Sequence, residues 1–207
     1  MAIAAPQPRV IADVFGRSAV RNVVLVAGGA AFVGLCAQIA FYLPWNPTIP
    51  VTLQTFAVVL AAGALGSLRG AAAMALYAVL GIAGIPWFAP NAEGIRNTGS
   101  AALSMVSLGY IVGFIIAAFV VGKLAENGAT RTFLRSIGLM ILGNVIIYAV
   151  GATWLKYKLG VPWFGDASAW AYGVKDFLIG DAIKILAAAG LLPLTWQLLR
   201  KSGLTDK

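Results

Sequence analysis

The chain contains no histidine, which removes the commonest general base, the Ser-His-Asp arrangement and most zinc sites at once. Its one cysteine, Cys36, lies in an apolar run, so an internal disulfide and a thiolate metal cluster are both excluded. Charge is equally scarce: 11% of the residues are charged against 60% hydrophobic, and the mean hydropathy is +0.89. That balance lies far outside soluble composition and reads as an integral membrane protein. A phosphate-cradling loop is also missing. The nearest string, Ala117 to Leu124 (AAFVVGKL), lacks the first glycine and has Leu124 where a Ser or Thr would hold magnesium. No cofactor is encoded, and ATP can act only through partner subunits. Residues 1–19 carry Pro6, Pro8, Arg9, Asp13 and Arg17 where a signal peptide needs an unbroken apolar core, so the first hydrophobic span is expected to be retained.

What the chain has in quantity is long apolar segments: Val20 to Leu43, Leu53 to Leu65, Arg69 to Ile85, Met105 to Val121, Phe133 to Leu155 and Phe177 to Leu199. They predict an all-α membrane protein of six transmembrane helices. Residues 1–19 form an N-terminal segment, 20–200 a single transmembrane domain and 201–207 a tail. The second and third spans are short for a hydrocarbon layer of about 30 Å, and only Gly66-Ser67-Leu68-Arg69-Gly70 separates them. A tight hairpin is expected there.

The net charge of +8 sits between spans, with no basic or aromatic strip along one face, so it reports topology and not nucleic-acid binding. The N-terminus, the 66–70 link, the 122–132 loop with its helix edge and the C-terminus carry Arg9, Arg17, Arg21, Arg69, Lys123, Arg131, Arg135, Arg200, Lys201 and Lys207. The opposite connections carry Arg96, Lys156, Lys158 and Lys175. Ten basic residues against four predict cytoplasmic termini. The external connections, 44–52, 86–104 and 156–176, hold six of the nine prolines and are long. Long ordered loops commonly carry function, which favours an external chamber roofed by them over plain solvated connectors. Five of six tryptophans, Trp45, Trp87, Trp154, Trp163 and Trp170, also fall on that side. Interfacial anchoring predicts a more even split, so some of the surplus is available to line a ligand site.

Asp181 and Lys184 lie three apart inside the last span and share a helix face. A charge near the centre of a membrane helix costs roughly 2.5 to 3.5 kcal/mol, so such residues face the protein interior and pair there. Three readings are open: a structural pair, a proton relay, which would need further buried acids, and a ligand site. As a ligand site they offer an acceptor and a donor a few Å apart, matching a neutral ligand with N–H and C=O groups such as a cyclic urea. Gln54, at the start of the second span, supplies a donor and an acceptor at the chamber mouth, beside a possible helix cap from Thr52. Asn91 and Arg96 are polar groups near Trp87 and Phe88; the arginine suits a ligand carboxylate, or else simple solvation. Ala27 and Ala31 share a face of the first span and serve either packing within the bundle or docking on another membrane protein.

The ordered strings PVTLQTF (Pro50 to Phe56), LGSLRG (Leu65 to Gly70), GIPWFA (Gly84 to Ala89), LGYIVGF (Leu108 to Phe114) and GDAIK (Gly180 to Lys184) resemble the BioY family of biotin-binding S components of energy-coupling factor (ECF) transporters. The resemblance runs from about Val23 to Pro193. It implies a six-helix S-component bundle in a bacterial or archaeal cytoplasmic membrane that takes up biotin and is not an enzyme. Its implied partners are a transmembrane coupling subunit and ABC-type ATPase subunits. By the resemblance Asp181 and Lys184 contact the ureido ring, Gln54 matches the family glutamine, and Tyr110 matches an aromatic of a Gly-Gly-Tyr element whose first glycine is Leu108 here. Trp87, Phe88 and Tyr110 would cover the bicycle, and Ala27 and Ala31 match the small-residue docking motif. The stretch Pro90 to Asn97 departs from the family pattern, leaving Asn91, Arg96 and Tyr77 as chemical candidates for the carboxylate end. The alternative is an S component or small transporter for another vitamin. A membrane transferase or protease and a purely structural protein are the rivals outside transport.

Overall fold

The computed structural model describes residues 8–14, 16 and 18–205. Arg17 and Lys207 of the charge count, and the first seven residues of the N-terminal segment, lie outside the described residues.

Helix α1 (Ala19–Ala37) is capped by the Ser18 hydroxyl, which accepts the amide of Arg21. It stops at Ala37 instead of running to Leu43, because Ala40 to Leu43 forms strand β1 (Ala40–Leu43), paired antiparallel with β2 (Asn46–Thr52). A short apolar run does not distinguish strand from helix by periodicity, and Pro47 and Pro50 settle the matter by excluding helix beyond it. The pairing sets Phe41 opposite Val51 and slips before Leu43 meets Asn46. This hairpin is the one strand feature among the described residues, and the all-α expectation does not contain it.

After the hairpin come α2 (Gln54–Leu65) and α3 (Ser67–Ile82), then a small helix α4 (Gly99–Leu103), α5 (Leu108–Glu126), α6 (Phe133–Leu159), a second small helix α7 (Ala169–Gly173) and α8 (Leu178–Lys201). Among the described residues, four stretches are long and apolar enough to cross a membrane: Ala19–Ala37, Leu108–Glu126, Phe133–Leu159 and Ala169–Lys201. Helices α2 and α3 are apolar but only 12 and 16 residues long, or about 18 and 24 Å at 1.5 Å per residue. Both begin or end at the Gly66 link, so their missing length lies at the opposite end. There β2 leads into α2, and residues 83–90 leave α3 with Trp87 packed against Tyr77 and Gly34.

The core lies where α5 packs against α6, α3 and α2, with α1 laid on α3 and α8 on α6 and α2. Around it, Val20, Leu134, Ile179 and Ile183 are exposed on the helix exteriors. A helix surface apolar outside as well as inside is what a lipid solvent requires. The chain is a multi-pass membrane protein.

At the Gly66 end, Glu126 accepts from the backbone amide and the hydroxyl of Ser67 at 2.8 and 2.7 Å, satisfying the open N-terminus of α3. Gly66 has φ +86°, and the α2–α3 link needs that conformation to reverse the chain in one residue. Residues 8–14 pack against the bundle at this end. Val10 is buried, Asp13 pairs with Arg69 at 2.7 Å, and Pro8 accepts from Arg131.

Candidate functional site

Opposite that end, a pocket with about 620 Å³ of empty space, its mouth included, opens between α2, α5, α6 and α8 beneath the hairpin. Its walls are mainly apolar: Ile49 and Pro50 of the hairpin, Phe88, Met105, Phe114 and Phe177. The polar groups converge on one corner.

Asp181 and Lys184 form that corner. Asp181 lies in the first turn of α8, where the helix dipole favours an anion, and Lys184 one turn deeper. Their charged atoms are 2.7 Å apart, with the side chains 5% and 14% exposed. The carboxylate is further held by two groups that the sequence reading did not single out. Thr55 of α2 donates its hydroxyl to Oδ1 at 2.9 Å, and Tyr148 of α6 donates to Oδ2. Thr55 also accepts from the Lys184 ammonium at 3.4 Å. Neither residue carries a sequence signal of its own, although Thr55 stands inside the PVTLQTF string.

Hydrogen-bond capacity decides what this corner can bind. A carboxylate has about four lone-pair sites and an ammonium three N–H donors. Among the described residues Lys184, Thr55 and Tyr148 use three of the former; Asp181 and Thr55 use two of the latter. One acceptor site and one donor are left side by side. The arrangement fits a neutral planar group carrying N–H next to C=O and is poorly suited to a free anion or cation.

Gln54 lines the same pocket. Its amide nitrogen donates to the Tyr77 hydroxyl at 2.9 Å, while its oxygen accepts from Thr52 at 3.3 Å. The Thr52 hydroxyl in turn accepts the Gln54 backbone amide at 3.2 Å, satisfying the first amide of α2. Tyr110 lines the opposite wall and donates to the Gly173 carbonyl at 2.8 Å. Its ring lies so close over Gly151 that a β-carbon there would collide with it. Phe88 faces the pocket and sits over Gly81 in the same way.

Four expected residues lie elsewhere. Tyr77 and Trp87 stand behind Gln54 and Phe88, rings 5.2 Å apart, with the Trp87 indole donating to the Tyr77 carbonyl at 3.0 Å. Asn91 folds its own loop, its side-chain oxygen accepting the amides of Glu93 and Ile95 at 3.2 and 2.8 Å. Arg96 donates to Gln38 at 2.6 Å, and Gln38 donates on to the Trp87 carbonyl at 2.9 Å. None of the four is in the pocket lining. Each has its polar group engaged by another residue of the chain.

The hairpin is tied down on two sides. Asn46, fully buried, donates to the Tyr172 carbonyl and to Asp176, each at 3.0 Å. Tyr42 donates to the Pro90 carbonyl at 3.1 Å; burial, helped by the Glu93 carboxylate, pushes its phenol up to about 12. On the far side of α1, Ala27 and Ala31 face outward, with open space beside Gly28 between them.

The chain is thus a lipid-facing helical bundle with an acid–base corner beneath a strapped hairpin. It superposes on the crystal structure of the S component for biotin from an ECF-type ABC transporter with a TM-score of 0.70 at 21% identity, covering 86% of this chain and 92% of that one. The chain belongs to the BioY family, whose sequence model matches residues 8–201. Relatives include the biotin transporter BioY of Thermotoga maritima, 37% identical over 71% of this chain and 80% of the relative. That of Rhodobacter capsulatus is 32% identical over 89% and 97%.

Proposed function

We propose that this protein is the substrate-specific subunit of an ECF-type biotin uptake system, a transporter and not an enzyme. Family membership supports the ligand class, and the remaining acceptor and donor of the Asp181–Lys184 corner carry the chemistry. Asp181 accepts one ureido N–H, Lys184 donates to the ureido oxygen, and Gln54 and Thr55 complete the polar rim. Phe88, Tyr110 and Phe114 cover the sulfur-containing bicycle, with Tyr77 and Trp87 bracing Gln54 and Phe88 from behind. The carboxylate end points toward the hairpin. Residues 20–200 act as one six-helix unit, in which α2 and α3 complete the count as a short pair. Both termini are cytoplasmic, as the basic excess at the Gly66 end supports.

The outward face of Ala27 and Ala31 would seat the transmembrane coupling subunit, because small residues let a second helix approach closely. The ABC-type ATPases then supply the ATP chemistry this chain does not encode. A thermal-shift titration of the purified protein with biotin tests the reading, since a ligand bound only by the folded state raises its apparent stability by about 2.7 kcal/mol at a hundredfold excess over Kd. Stronger stabilisation by a vitamin without a cyclic urea would overturn it.

A further inference from the structure

The tryptophan surplus on the pocket side is only partly used by the site. Trp87 braces it, and Trp154 donates to the Met105 carbonyl at 3.0 Å. Trp163 and Trp170 instead line a second concavity on the outer surface, a groove of about 910 Å³, open side included. Its other walls are Val145, Tyr148, Ala149, Ala152, Phe164, Val174 and Leu178. All are apolar except for the Tyr148 hydroxyl, which is turned away onto Asp181.

The groove starts at Val145 and rises along α6 toward Lys156, eleven residues later, or about 16 Å along the helix axis. That is about half of a 30 Å hydrocarbon layer, the depth of one leaflet. At its upper end the Lys156 ammonium lies 4.9 Å from the Tyr157 ring centroid and 6.0 Å from that of Trp163. Indoles favour the headgroup level, so the cation stands where a phosphate would. Lys156, Lys158 and Lys175 outnumber Asp166 and Asp176 in this connection, and Asp176 already accepts from Asn46. An apolar slot one leaflet deep beneath a lysine is complementary to an anionic phospholipid.

We propose that the groove is a binding site for one acyl chain of an anionic phospholipid, with the lipid phosphate over Lys156. The groove shares a wall with the pocket, since Gly173 and Phe177 face the pocket while Val174 and Leu178 face the groove. The proposal nevertheless stands apart from the biotin reading.

Native mass spectrometry of the purified full chain, delipidated and given phosphatidylglycerol or phosphatidylcholine with identical acyl chains, tests it. One phosphatidylglycerol should be retained about fivefold more than phosphatidylcholine, the preference expected of one lysine at a membrane surface. Lys156→Gln should abolish the preference while leaving some binding. Ala149→Trp, which fills the slot, should remove the adduct while biotin-induced thermal stabilisation persists. Equal retention of the two lipids by the wild type, or unchanged adducts in both variants, overturns the proposal. So does a dimer that Ala149→Trp disrupts, because a second copy would then be the occupant.

Discussion

Tyr148 of α6 donates its hydroxyl to Asp181 of α8, so the wall of the pocket and its anionic group are one hydrogen-bonded unit. With Thr55 from α2 on the other oxygen, three helices meet on a single carboxylate. Such a carboxylate is held in place before any ligand arrives, and little conformational freedom remains to be lost on binding.

Removing either charge of the corner should weaken biotin binding strongly. Asp181→Asn and Lys184→Met each delete a charge-assisted hydrogen bond to the ureido group, for which about 10- to 100-fold in Kd is expected. Isothermal titration measures this directly, and undiminished affinity in both variants would sink the assignment of these residues.

Stability should separate the single variants from the double one. Breaking one partner of a buried pair costs about 3 to 5 kcal/mol, whereas replacing both partners is often nearly neutral. Lys184→Met alone should therefore melt well below the wild type, and Asp181→Asn/Lys184→Met close to it, with neither binding biotin well. Equal melting temperatures for the single and double variants would show that the pair is not coupled.

Tyr148→Phe removes a donor to Asp181 without changing the pocket's shape. About tenfold weaker biotin binding is expected, with Thr55→Val behaving alike, because each deletes a hydrogen bond to a charged group. If both variants bind as the wild type does, the two hydroxyls only fill space.

Arg96→Ala should leave biotin affinity within about twofold, since its Nε donates to Gln38 outside the pocket and distant sites act independently. Gln54→Leu should weaken binding in the same assay. A large loss from Arg96→Ala would instead place the ligand carboxylate at that loop.

Ala31→Trp should block co-purification with an ECF coupling subunit while biotin still stabilises the protein. The indole would stand out from α1, where only small residues allow a helix to approach closely. Unchanged co-purification would mean that docking uses another face.

The acid–base corner was legible because its two residues are three apart in one helix, a local relation that spacing alone reveals. The span positions were legible to within a few residues for the same reason, except where the apolar run after Gln38 turned into a strand. Thr55 and Tyr148 were not legible. Their partner Asp181 is 126 and 33 residues away, and a lone hydroxyl among apolar neighbours marks nothing until the helices are packed. Arg96 looked available for a ligand for the converse reason, since Gln38, 58 residues away, becomes its neighbour only when the roof folds, whereas Asn91 is taken by the amides of Glu93 and Ile95 in its own loop.

By itself the sequence determined the solvent of this protein, its helical spans, the family it resembles and the one expensive pair within them, because hydropathy and helical periodicity are properties of consecutive residues. Tertiary structure alone decided which polar groups surround Asp181, that Tyr77 and Trp87 support the pocket without lining it, and that Trp163 and Trp170 frame a groove. Those are distances between helices, and they exist only after α2, α5, α6 and α8 have packed.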